Sequence, residues 1–106
     1  MEESVLLQSI MGLILHSGNT KSDCMEAIQF AKKGEFLAAK DKIETANESL
    51  VKAHHSQTAL LTQEARGEKV EVTMMLIHAQ DHLMNSITFR DLAIEIIELY
   101  ERVRGE

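Results

Sequence analysis

Four polar residues interrupt the apolar run in the last third of the chain, and their spacing puts them on one side of a helix. His78, Asp81, His82 and Asn85 stand at i, i+3, i+4 and i+7, the spacing of a single α-helical face. An imidazole that is neutral near pH 7 is a competent nucleophile toward phosphorus, and its charge can change near neutrality. A phosphoryl group on histidine needs space, hydrogen-bond donors and few fixed negative charges. Gln57, Thr58, Gln80 and Asn85 could supply donors without permanent charge. The plain alternative is that His78 is an ordinary, partly buried histidine with one hydrogen bond. Asp81 has three readings: a solvated surface carboxylate, an ion-pair partner or a metal ligand, and spacing alone favours the first. If copies of this helix packed together, however, one carboxylate per subunit would converge, and a cation or protons would be needed to neutralise them. The His78/His82 pair also has the His-x-x-x-His spacing of a zinc site, but Ala79 stands where a metalloprotease motif carries its glutamate, so this reading ranks low.

Other chemically capable residues read more simply. His54 and His55 are adjacent and so point in different directions on a helix; at most one of them lines a pocket. His16 reads as structural, Cys24 as a small core residue, and the six methionines as core filler. The sequence has no glycine-rich phosphate loop, nucleophile elbow or nucleotide-binding fingerprint, which argues against a nucleotide kinase.

The elements that must hold these residues are set off by two glycines. Lys33-Gly34-Glu35 and Arg66-Gly67-Glu68-Lys69 place basic residues in a last helical turn, followed by glycine where a left-handed backbone is wanted. They divide the chain into helices over about 3–33, 35–66 and 70–104. In the first, Leu6, Ile10, Leu13, Ser17, Thr20, Cys24, Ala27 and Ala31 keep an alternating three- and four-residue step through Gly18-Asn19. That predicts one long helix, with two shorter ones as the alternative. The second carries Phe36, Ala39, Ile43, Ala46, Leu50, Ala53, Gln57, Leu60 and Glu64 at the same spacing. The third is apolar on nearly every face from Val70 to Met84, which requires cover on more than one side and is most simply met by a second subunit. Short connections force antiparallel neighbours. Folding back at Gly67-Glu68 levels His55–Leu61 with Leu76–His82, so two polar islands meet at one height.

With 106 residues the chain is one domain, and its 44% hydrophobic and 26% charged residues describe a globular protein. A net charge of -6 with no basic stripe argues against nucleic acid as a partner. One cysteine precludes an internal disulfide and fits a reducing cytoplasm. The start, Met1-Glu2-Glu3-Ser4, is acidic where a secretory signal would be basic, and no apolar run is long enough for membrane insertion. The expected location is cytoplasmic.

The run Ile77-His78-Ala79-Gln80-Asp81-His82-Leu83-Met84 resembles the signature of the lactose/cellobiose-type enzyme IIA of the phosphoenolpyruvate-dependent sugar phosphotransferase system. Ala53-His54-His55-Ser56-Gln57-Thr58, the Gly67-Glu68 turn and Ile97-Glu98-Leu99-Tyr100-Glu101 extend the resemblance over essentially the whole chain. It implies an all-α, antiparallel three-helix subunit assembled into a homotrimer. It implies that His78 is phosphorylated by the histidine phosphocarrier protein HPr and passes the group to the cysteine of a cognate enzyme IIB. Gln80, Gln57 and His82 would support the phosphate pocket. The resemblance further implies that Asp81 lies at the trimer axis and shares a divalent cation, Mg2+. The sugar would be cellobiose, a β-glucoside, diacetylchitobiose or lactose, with the lactose branch the weakest match. A non-catalytic helical scaffold or regulatory subunit that keeps the bundle is the alternative.

Overall fold

In the computed structural model, which describes residues 3–105, three helices span nearly the whole chain: α1 (Glu3–Lys32), α2 (Phe36–Ala65) and α3 (Met74–Gly105). Met1 and Glu2 of the acidic start lie outside the described residues. Both glycine stops close as expected. Glu35 N–H donates to Phe30 O and Gly34 N–H to Ala31 O; Glu68 N–H donates to Gln63 O and Gly67 N–H to Glu64 O. Each pair of bonds satisfies carbonyls that a helix end would leave open, and each requires a left-handed residue. Gly34 (φ 80°) and Gly67 (φ 82°) supply it without the Cβ clash any other residue would meet. At Gly34 an added Cβ would also strike the Arg104 guanidinium, which donates to Lys32 O at the end of α1.

The helices pack up, down and up, within 56 × 20 × 18 Å. Pairs at three heights fix α2 antiparallel to α3: Gln57 with Gln80, Asn47 with Arg90, and Lys40 with Glu101. Ser86 against Ser17 and Arg104 against Lys32 set α1 and α3 parallel. The spaced residues of α1 form its buried seam, from Ile10 and Leu13 through Ser17, Thr20, Cys24, Ala27 and Ala31. The seam passes Gly18 without a break, because the three- and four-residue step keeps one face on the core. In α2 the seam is as expected up to Leu60 and then steps by three instead of four. Gln63 is buried and Glu64 is exposed, since the next inward position at the helix end falls on the neutral side chain.

The third helix starts at Met74, four residues later than expected from its apolar content. After the Gly67 stop the chain runs without helix through residues 68–73, with Val70 buried in the apolar cluster of Ile10, Leu13, Leu60 and Leu83. Thr73 then caps α3: its Oγ1 accepts a hydrogen bond from Leu76 N–H at 3.1 Å. The Thr73→Ala variant is therefore expected to lose about 1 kcal/mol of stability, read as a lower urea midpoint at unchanged slope.

A buried polar layer divides the core. Ser17, Thr20 and Ser86 are almost completely buried between the cluster around Leu13 and Leu83 and the cluster of Cys24, Ile28, Ala46 and Ala93. Thr20 Oγ1 donates to His16 O at 2.9 Å, with Ala46 O a further acceptor at 3.3 Å. Ser86 Oγ lies 2.7 Å from both Ser17 O and His82 O, so it ties the α3 backbone below the candidate site to α1. Burial pushes the Cys24 thiol up to about 11, partly opposed by the Arg90 charge, and keeps it protonated and inert.

Candidate functional site

Bundle geometry divides α3 into faces. Leu76, Ala79, Leu83, Ser86, Ala93 and Ile97 turn inward. Between the inward Leu76 and Ala79 the helix carries Ile77 and His78, and His78 comes out exposed. His82, one turn along, is half-buried. The rings meet edge to face, with centroids 4.5 Å apart, planes at 89°, and Nε2 to Nε2 at 3.2 Å. One ring N–H can therefore donate to the other's lone pair, and this contact fixes how the His78 imidazole is held.

Gln57 and Gln80 meet across the α2–α3 contact, where Gln57 Nε2 donates to Gln80 Oε1 at 2.8 Å. The two polar islands thus lie at one height, as the folded-back register required. Gln80 makes no other hydrogen bond among the described residues, so its amide NH2 remains a possible donor toward a ligand. Thr58 is exposed on α2. His54 and His55 are both exposed, and neither is hydrogen-bonded to the α3 histidines. His16 is half-buried on α1, where its backbone carbonyl accepts from Thr20.

A shallow cleft of about 190 Å³ runs beside the histidines, lined by Lys21, His78, Asp81, His82, Asn85 and Ser86. Lys21 is a contributor that the sequence reading missed. It comes from α1, 57 positions before His78, and nothing in its local sequence distinguishes it from other surface lysines. Its Nζ lies 5.9 Å from the centre of the Phe89 ring, so its cation sits toward the Asn85 end of the cleft. Asp81 is exposed and makes no ion pair among the described residues. Those residues also contain no group of three or more His, Cys, Asp or Glu side chains that could hold a metal, so a single chain offers one carboxylate and not a cage.

The surface around the site is unusually apolar for a solvated helix. Met74, Ile77, Met84, Leu92, Ile96, Leu99 and Val103 are all exposed along α3, and Leu7, Met11 and Leu15 along α1. Among the described residues no helix is long and apolar enough to cross a membrane. A run of exposed apolar side chains of this kind marks a surface that contacts another molecule.

Comparison with known proteins agrees with this fold. The family description "PTS system, Lactose/Cellobiose specific IIA subunit" matches residues 8–101. The lichenan-specific phosphotransferase enzyme IIA component of Bacillus subtilis is 54% identical over 96 residues, covering 91% of this chain and 87% of that protein. The cellobiose-specific enzyme IIA of Bacillus anthracis superposes with a TM-score of 0.94 at 48% identity, covering 100% of this chain and 95% of that one. The IIA(Chitobiose) structure solved with HPr, from the N,N'-diacetylchitobiose branch of the Escherichia coli phosphotransferase system, gives a TM-score of 0.82 at 40% identity, over 98% and 99% of the two chains. Three helices of this length, with an exposed His78 against a half-buried His82 on the third, fit a helical phosphotransfer-type subunit. The chain belongs to the lactose/cellobiose-specific IIA family of the sugar phosphotransferase system.

Proposed function

We propose that this chain is a phosphocarrier in which His78 accepts a phosphoryl group from HPr and gives it to the cysteine of a cognate enzyme IIB. The observation that carries this reading is the exposed His78 imidazole, held at its Nε2 by His82 on a rigid helix. The solved complex of the Escherichia coli relative with HPr supports the choice of donor. Relatives named for lichenan, cellobiose and N,N'-diacetylchitobiose point to uptake of β-linked oligosaccharides of that kind.

Transfer is an in-line displacement. The His78 nitrogen lone pair forms a bond to phosphorus as the nitrogen–phosphorus bond of the donor breaks. In the second step a thiolate of the acceptor takes the group and the His78 lone pair is restored. Such chemistry asks little of the surroundings beyond positioning and charge stabilisation. When His82 is the donor in the ring pair, its Nε2–H points at the His78 nitrogen; after transfer the same N–H is placed to donate to a phosphoryl oxygen. The Gln80 amide, its oxygen held by Gln57, is the second candidate donor; it stands on a different face of α3 from His78 and would serve a phosphoryl group where copies of the chain meet. The reading is tested by incubating the chain with phosphoenolpyruvate, enzyme I and HPr and weighing it intact at alkaline pH. One acid-labile phosphate per chain is expected; no gain in mass beside a labelled control enzyme IIA would leave the scaffold reading.

The exposed apolar stripe on α3 supports a homotrimer in which the three copies bury it against each other. Asp81 lies on that helix beside the stripe. One exposed carboxylate per chain fits a Mg2+ ion, which keeps several waters and binds through few protein oxygens, only where copies converge. Asp81 would then be the residue that holds it, and the ion would neutralise the assembled carboxylates. The Asp81→Asn variant is expected to abolish any rise in thermal midpoint on adding Mg2+. Equal Mg2+ dependence in the variant and the parent would remove Asp81 as the ligand.

A further inference from the structure

The histidine pair that serves phosphoryl transfer also has the geometry of a two-nitrogen chelate. Its two Nε2 atoms face each other at 3.2 Å from positions one helical turn apart. A tetrahedral transition-metal ion sits about 2.0–2.1 Å from each imidazole nitrogen, which sets two such ligands roughly 3.3 Å apart. The rings therefore stand close to the bite such an ion demands, and both are carried by one continuous helix. The continuous helix keeps the two rings one turn apart, which limits the freedom lost on chelation by only two protein ligands.

We propose that His78 and His82 form a two-nitrogen chelate for a borderline divalent transition-metal ion such as zinc, and that the ion and a phosphoryl group exclude one another on His78. The second half rests on the phosphocarrier reading; the first does not. Water fills the remaining positions of the ion, since no third nitrogen, sulfur or carboxylate ligand is grouped with the pair among the described residues. Asp81 borders the same cleft and can accept hydrogen bonds from those waters, while the Lys21 cation on the far side opposes the ion and limits its affinity. The site is chemically distinct from a hard-cation site at Asp81: imidazole nitrogens select zinc, copper or nickel, and carboxylate oxygens select magnesium.

The proton balance is simple. Each neutral ring carries one N–H, and in the facing pair one of the two Nε2 atoms bears it. Coordination needs both Nε2 lone pairs, so the donating ring shifts its proton to Nδ1 and a neutral pair takes up the ion with no net release of protons. A phosphoryl group on His78 Nε2 occupies one of those lone pairs, which makes the two ligands exclusive.

The test is calorimetric titration of Zn2+ into the full chain and into His78→Gln, His82→Asn and His55→Gln. The expected result is about one ion per chain, with affinity reduced about tenfold or more in the first two variants and unchanged in the third. Failure of the parent chain to take up zinc, or His82→Asn binding as tightly as the parent, overturns the chelate. For exclusion, the rate of phosphoryl acceptance with zinc is divided by the rate without it. That ratio is expected to fall well below one in the parent and to stay near one in His82→Asn; equal ratios overturn exclusion. If the parent accepts no phosphate even without zinc, the phosphocarrier reading fails, and the calorimetry still decides the chelate.

Discussion

His78→Gln is expected to accept no phosphoryl group at all while folding like the parent chain. The two halves of that expectation have separate physical grounds. Glutamine carries no lone-pair nitrogen of comparable nucleophilicity, so the nitrogen–phosphorus bond cannot form, and the loss is complete and not graded. Among the described residues His78 is exposed, packs in none of the core clusters and bonds only to His82, so its replacement removes little that holds the bundle together. Surface substitutions of this kind change stability by about 0.5 kcal/mol or less. Intact mass after incubation with phosphoenolpyruvate, enzyme I and HPr reads the first half, and a urea melt reads the second. Retained label in the variant would place the carrier nitrogen elsewhere. Label lost together with a collapsed urea midpoint would make His78 a structural residue instead.

The largest effect on stability is expected from Leu83→Ala. Leu83 is fully buried at 0% exposure, on the helix face opposite the solvent, within the cluster of Ile10, Leu13, Leu50, Leu60, Val70 and Leu76. Truncation removes three buried carbons and leaves a hole that long, continuous helices on every side cannot easily collapse to fill. The cost of such a change is about 2–5 kcal/mol. For a domain of this size each kcal/mol lowers the melting temperature by about 4–8 °C, so the variant should melt at least about 8 °C below the parent at matched protein concentration. A shift of only a degree or two would mean that the core around Leu83 is looser than its zero exposure implies. His78 and Leu83 are five positions apart on one helix. One carries the chemistry and the other holds its platform, so losses at the two sites should separate cleanly between the two readouts.

Much of this architecture is legible in the sequence because it is local. The three- and four-residue step that runs from Ile10 to Ala31 needs no tertiary information to say which side of α1 is buried. It also favours one helix through Gly18 over two shorter ones, since a loop would usually reset the phase, and the structure has the single helix. Gly34 and Gly67 announce the two stops because a left-handed residue is required there and glycine adopts that conformation without strain. Even the common height of the Gln57 and Gln80 islands follows from a short connection and the rise of a helix.

Where the reading slipped, a tertiary demand overrode a local one. Val70 to Thr73 looked helical because Val70 and Val72 extend the apolar run of α3. In the folded chain Val70 turns into the core from a non-helical stretch, and the Thr73 hydroxyl, not hydropathy, starts the helix. Glu64 continued the α2 seam by count, yet the buried residue is Gln63.

The candidate site divides in the same way. Sequence spacing alone put His78, Asp81, His82 and Asn85 on one helical face, because a helix has a fixed period. Only the tertiary structure decided that this face is open to solvent, that Lys21 of α1 completes its cleft, and that Gln57 holds Gln80. Each of those contacts joins residues far apart in the chain. Their existence depends on how three helices rotate about their own axes to bury Leu13, Leu50 and Leu83 together, and no local pattern encodes that rotation.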